Sequence, residues 1–137
     1  MKNLVFIVEY DLVQQKMLQV HFEAMLNNYQ VKTFANPEDL LKKLDEKPYA
    51  IVLDHFFDKA ANTGLHYLKI LRKNYSSIPV IYYTTLNDAT VRAEVLKLGA
   101  EDYIVKDSAS LVRLRTTLDL LHEKKSKKGF WSKLFGR

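Results

Sequence analysis

The sequence holds no cysteine. That excludes a disulfide framework, thiol chemistry and Cys-based metal sites, and it fits a reducing, cytoplasmic compartment. Glycine is scarce too, with four in 137 residues, and none follows the first strand-like run, where Glu9-Tyr10-Asp11-Leu12 stands. A dinucleotide site wants glycines there to admit a pyrophosphate, so a nucleotide-binding fold is disfavoured. No apolar run approaches the ~20 residues needed to span a bilayer. Met1-Lys2-Asn3 leads into a strand-like run with no signal-peptide cleavage pattern. The four histidines (His21, His55, His66 and His122) show no metal-ligand spacing, and His55 is expected on the face opposite its neighbour Asp54. Most of the chain also lacks excess charge. Residues 1–122 carry 15 Lys/Arg against 15 Asp/Glu, whereas residues 123–137 carry six basic residues and one acidic one. The net charge of +5 therefore lies wholly in the last stretch.

What is present is a series of short apolar runs that each stop on a polar residue. Tyr49-Ala50-Ile51-Val52-Leu53-Asp54 is bounded by Pro48 and by the polar stretch Asp58 to Asn62. Its continuous apolar character is that of a strand buried on both faces. Leu4-Val5-Phe6-Ile7-Val8 reads the same way and ends on Glu9-Tyr10-Asp11. Tyr29 to Phe34 is a weaker strand. Ile78-Pro79-Val80-Ile81-Tyr82-Tyr83 is a fourth, ending on Thr84-Thr85, and Asp102-Tyr103-Ile104-Val105 a fifth, ending on Lys106-Asp107.

Helical patterns fill the intervals. Apolar residues recur at helical spacing from Asp11 to Leu26. Asn36-Pro37-Glu38-Asp39 is a helix start, and that helix is expected to run through Leu44 to Lys47-Pro48. Further helices are expected from about Thr63 to Tyr75 and from Asn87-Asp88 to Leu98, the latter closed by Gly99. A last helix is expected to be capped by Ser108, with Leu111, Leu114, Leu118 and Leu121 on one face. Five strands alternating with five helices argue for one domain with a parallel α/β sheet and right-handed crossovers. Parallel strands share a direction, so Glu9, Asp11, Asp54, Thr84 and Lys106 should emerge on one edge, where such sheets carry their ligand crevice. Clustered carboxylates bind a hard cation such as Mg²⁺ through oxygen. A lysine and a threonine hydroxyl beside them can hold a phosphoryl group.

At this point the chain resembles the receiver domain of bacterial two-component response regulators, over about residues 3–122. The resemblance rests on Ile7-Val8-Glu9, Ile51-Val52-Leu53-Asp54, Gly64-Leu65, Pro79 to Thr84, and Gly99 to Lys106. It implies a flavodoxin-like, doubly wound (βα)5 fold with strand order 2-1-3-4-5. It also implies that Asp54 accepts a phosphoryl group from a histidine kinase or phosphotransfer protein. Lys106 would pair with the phosphoryl oxygens, Thr84 would donate a hydrogen bond to one, and Tyr103 would turn inward when Thr84 moves. Mg²⁺ would be held by Glu9, Asp11, Asp54 and the backbone carbonyl of Phe56. The output would be a contact with a downstream protein rather than catalysis.

Three positions depart from the family pattern. Tyr10 stands where a second acid is common, with Asp11 one residue later. The loop from Asp54 to Gly64 is about two residues longer than usual and lacks its common proline. Asp107 replaces the proline that often follows the lysine. Tyr10 and the lengthened loop motivate an alternative: a degenerate receiver serving as a phosphorylation-independent binding adaptor.

The chain divides into a receiver over residues 1–123 and a basic amphipathic tail over residues 124–137. No room is left for a helix-turn-helix after the fifth helix, so a stand-alone receiver without direct DNA binding is expected. In the tail, Lys127 and Lys128 precede Phe130, Trp131, Leu134 and Phe135, which share one helical face. The segment is similar to the C-terminal membrane-targeting helices of septum-placement ATPases of the Min system. It suits peripheral membrane contact, a peptide docked by a partner, a nucleic-acid-binding arm or a solubilising tail.

Overall fold

The computed structural model describes residues 3–25, 28–57 and 62–134, with the side chains of Met25, His122 and residues 125–133 left aside. Three strands are largely apolar: β3 (Ala50–Leu53) and β4 (Val80–Thr84) are buried throughout, and β1 (Asn3–Val8) is buried from Val5 onward. They form the middle of a five-stranded parallel sheet, flanked by β2 (Tyr29–Phe34) and β5 (Asp102–Val105), in the order β2-β1-β3-β4-β5. This is the parallel sheet that the alternating pattern anticipates, in the doubly wound order that the receiver resemblance implies. Each strand is followed by a helix: α1 (Leu12–Met25), α2 (Pro37–Leu41), α3 (Gly64–Asn74), α4 (Ala89–Lys97) and α5 (Ser110–Leu134).

Side-chain alternation along the strands divides the core in two. Phe6, Val8, Leu53, Tyr82 and Tyr103 face one layer, which Leu40, Leu68, Leu71 and Val95 of α2, α3 and α4 cover. Val5, Ile7, Val52, Ile81 and Ile104 face the other, against Leu18 and Phe22 of α1 and Leu114, Leu118 and Leu121 of α5. Burying each of those α5 leucines stabilises the fold by about 1.5–3 kcal/mol. That is why the helix packs where it does.

Local chemistry fixes most boundaries. Asn36 Oδ1 accepts the Asp39 N–H at 3.0 Å and Asp88 Oδ1 accepts from Thr90 and Val91, so both helices start as their cap residues dictate. Gly99, at φ 100°, ends α4 in the left-handed region that favours glycine. Three expectations need correcting. The second helix stops at Leu41 and resumes only as a 3-10 turn over Leu44–Glu46, because Lys47 precedes Pro48 and takes φ 54° instead of continuing a helix. The fourth strand begins at Val80 rather than Ile78, and it includes Thr84. The last helix is opened by Asp107, not Ser108: Asp107 Oδ1 accepts the Ala109 N–H at 2.8 Å, and its carbonyl accepts the Ser110 hydroxyl. α5 then runs unbroken past residue 123 to Leu134, while Phe135 lies outside the described residues.

Candidate functional site

Strand register alone assembles the site. Val8 lies beside Leu53, Leu53 beside Tyr82, and Thr84 beside Val105. The residues that follow or end these strands (Glu9, Asp54, Thr84 and Lys106) are therefore brought to one edge. Glu9, Asp54 and Thr84 are buried, which for carboxylates demands partners.

The partner is Lys106. Its ammonium donates to Glu9 Oε1 and to Asp54 Oδ2, each at 2.7 Å, while the Tyr83 ring lies 5.3 Å from its nitrogen. Burial pulls the lysine pKa down, but the charges and hydrogen bonds of Asp54 and Glu9 outweigh it and hold the group above its ordinary value. Lys106 is thus an ammonium at any physiological pH. A pair at this distance attracts by about 6 kcal/mol at an effective dielectric near 20. Desolvation costs several kcal/mol per ion, so the cluster orients the carboxylates more than it stabilises the fold.

The other Asp54 oxygen, Oδ1, accepts the His55 N–H at 2.6 Å and lies 3.4 Å from the Phe56 nitrogen. A small cavity of about 80 Å³ opens beside the cluster, bordered by Glu9, Tyr10, Gln14, Asp54, Phe56 and Thr85. Asp11 also borders it, but its carboxylate is engaged as the cap of α1, accepting from Val13 at 2.9 Å and Gln14 at 3.1 Å. Glu9, Asp54 and Lys106 are therefore joined by direct contacts, and Asp11 lines the same cavity with one carboxylate oxygen engaged at the start of α1. Among the described residues, no three His, Cys, Asp or Glu side chains gather as a metal cage.

Thr84 is fully buried, and its Oγ1 accepts the Leu86 N–H at 3.2 Å, which leaves its own proton free to be donated. Tyr103 is already inside the fold. It is fully buried, its hydroxyl donates to the Leu86 carbonyl, and its ring stacks on Tyr82 at 5.5 Å with Arg92 over the other side at 4.8 Å. Burial raises its pKa, against the lowering effect of Arg92, so the phenol stays protonated.

Sequence reading missed the supporting shell. His55 is buried, and its Nδ1 meets the Tyr82 hydroxyl at 2.6 Å. Burial lowers its pKa, only partly countered by Asp54 and Asp88. Tyr83 supports Lys106 and hydrogen-bonds Ser110 Oγ at 2.9 Å. Thr85 lines the cavity, and the Gln15 amide donates to the Glu9 carbonyl. Two successive tyrosines at a strand end were the available signal, since aromatics at such positions bury their rings and aim their hydroxyls at polar partners.

Comparison with known proteins bears on the family and the fold. Residues 5–119 match the family model described as the response regulator receiver domain. The transcriptional regulatory protein FlgR of Helicobacter pylori is 33% identical over 100 residues, which cover 73% of this chain and 25% of that protein. The probable transcriptional regulator ycf27 of Cyanophora paradoxa is 33% identical over 106 residues, 77% of this chain and 42% of that protein. The chain thus spans a quarter to less than half the length of these relatives. Among solved structures, the signal receiver domain of a putative Luxo repressor protein from Vibrio parahaemolyticus aligns at TM-score 0.81 and 18% identity, covering 95% of this chain and 97% of that one.

Proposed function

The chain belongs to the response regulator receiver family, the signalling modules of two-component phosphorelays, and from that premise we propose that Asp54 is its phosphoacceptor. The donor class the family implies is a histidine kinase or phosphotransfer protein. The observation that carries the reading is the buried pair of Asp54 and Lys106 at a strand edge open to an 80 Å³ cavity.

One Asp54 oxygen attacks the donor's phosphorus, forming an O–P bond as the N–P bond of a phosphohistidine breaks and the imidazole keeps the electron pair. Lys106, already protonated, exchanges its bond to Asp54 for one to a phosphoryl oxygen, and Thr84 donates its free proton to another. The donor set suits Mg²⁺, which keeps several waters and asks for one or two carboxylates. Glu9, Asp54 and the Phe56 carbonyl would hold it, with Asp11 acting from the rim through water. The ion would offset the negative charge that gathers as a phosphoryl group approaches two carboxylates. The output is contact with a downstream protein. Tyr103 and Arg92, which join Leu86 to α4, lie where a change at Thr84 would be felt.

The test is incubation with a small acyl phosphate and Mg²⁺, read by intact mass. A phosphoryl gain in the wild type that is absent in Asp54→Asn is expected. No gain in a folded wild type would favour the phosphorylation-independent adaptor.

A further inference from the structure

We propose that the distal turns of α5, residues 124–134, form an amphipathic anchor that lies on an anionic lipid bilayer. This goes beyond the phosphoryl reading and does not depend on it. α5 is one helix of 25 residues. Its inward stripe of Leu114, Leu118 and Leu121 is buried, and Lys124 makes the next contact, an ion pair with Glu101 at 2.8 Å. At about 3.6 residues per turn, the same stripe continues through Lys125, Lys128, Gly129 and Ser132, which offer the domain nothing apolar.

The apolar residues of these turns fall on the other side. Leu134 follows Leu118 by about 4.4 turns, or roughly 160° around the axis. Phe130 and Trp131 lie within about 60° of Leu134 on the same reckoning. Leu134 is 59% exposed, and Leu120, two heptads earlier on that outward side, is 50% exposed. A sector of the helix that carries aromatic and aliphatic residues opposite the buried stripe gains nothing unless something else buries it.

Charge decides what does. Residues 123–137 carry six basic residues and one acidic one, on a body that is otherwise neutral. A nucleic acid would answer the lysines but leave the apolar face wet. A lipid surface answers both, with phosphates for the lysines and hydrocarbon for Phe130, Trp131 and Leu134. Among the described residues no helix is long and apolar enough to cross a membrane, so the helix lies in the interface rather than spanning it. Each lysine near an anionic surface strengthens binding about fivefold.

Trp131 is the chain's single tryptophan, so its fluorescence reports this segment alone. The full chain is mixed with vesicles of phosphatidylglycerol and phosphatidylcholine, or with phosphatidylcholine alone, and followed by emission and co-sedimentation. The expected result is a blue shift and sedimentation with the anionic vesicles only, reduced by added salt. Lys127→Gln or Lys128→Gln should each weaken binding about fivefold, and Leu134→Glu by about tenfold or more. The helical signal of Leu134→Glu and its phosphoryl uptake should stay as in wild type. Equal binding to both vesicles, no blue shift, or full binding by Leu134→Glu would each overturn the proposal. So would a blue shift that needs only higher protein concentration, which would assign this face to a second copy of the chain.

Discussion

Gly64 and Tyr82 are packed so tightly at the end of the central strand that a Cβ on residue 64 would stand 2.5 Å from the Tyr82 hydroxyl. The same Cβ would also penetrate the Asp54 carbonyl oxygen. The first turn of α3 therefore seats against the backbone of Asp54, and only glycine permits it. Gly64→Ala is expected to lower stability by about 2–3 kcal/mol and to slow phosphoryl uptake by displacing Asp54. Urea unfolding and the rate of mass gain measure the two effects, and wild-type values for both would refute the contact.

Asp11 caps α1, and two substitutions separate that cap from its charge. Asp11→Ala should cost about 1 kcal/mol by uncapping α1. Asp11→Asn keeps the cap and should retain wild-type stability. Phosphoryl uptake by Asp11→Asn at limiting Mg²⁺ then reads the carboxylate's charge alone. A slower rate places Asp11 in the metal's outer shell, and an unchanged rate confines it to the helix.

Lys106→Met leaves two buried carboxylates facing each other without a cation. Stability at neutral pH should fall by about 3 kcal/mol. Added Mg²⁺ should restore more stability to the variant than it adds to the wild type, since it then supplies the missing positive charge. Equal Mg²⁺ effects on the two proteins would argue against a metal position beside Glu9 and Asp54.

The alkaline limb of stability should report on tyrosines that hold α5 to the sheet. Tyr49 donates to the Leu118 carbonyl at 2.9 Å. Burial, then the Asp119 charge, pushes its phenol up to about 12. Tyr29, bonded to Asp119 Oδ1 at 2.6 Å, is raised as well by burial and by that carboxylate. The folded chain therefore holds these protons more tightly than the unfolded chain, whose tyrosines ionise near pH ~10. The Tyr49 contribution is complete below that pH and is lost as pH rises through about 12, and the Tyr29 proton is held still more tightly. Tyr49→Phe should show a shallower fall of the urea midpoint over that range, and a slope equal to wild type would contradict it.

The parts legible in the sequence were those set by neighbours along the chain. Apolar runs that stop at Glu9, Asp54, Thr84 and Lys106 located the strand edge, because burial on both faces leaves no other place for a polar residue. Asn36 and Gly99 marked helix ends through their own chemistry. Asp107 and Ser108 are adjacent residues of equal capping talent, and only the backbone path chose between them. The pairing of His55 with Tyr82 joins residues 27 apart, and it depends on the β3–β4 register, which no local pattern encodes. The inward seat of Tyr103 depends likewise on a ring contributed by the neighbouring strand. The shift to Lys and Gly after His122 marks where the basic tail begins, and α5 continues across it because lysine propagates a helix well.

That continuity has a mechanical side. From Ser110 to Leu134 the rod is about 36 Å long, and its near end begins at Asp107, one residue beyond the lysine that grips Asp54. Because Leu114, Leu118 and Leu121 pin the near half to the sheet, the helix is a mast rather than a hinge, and the core sets the direction in which Leu134 is held out.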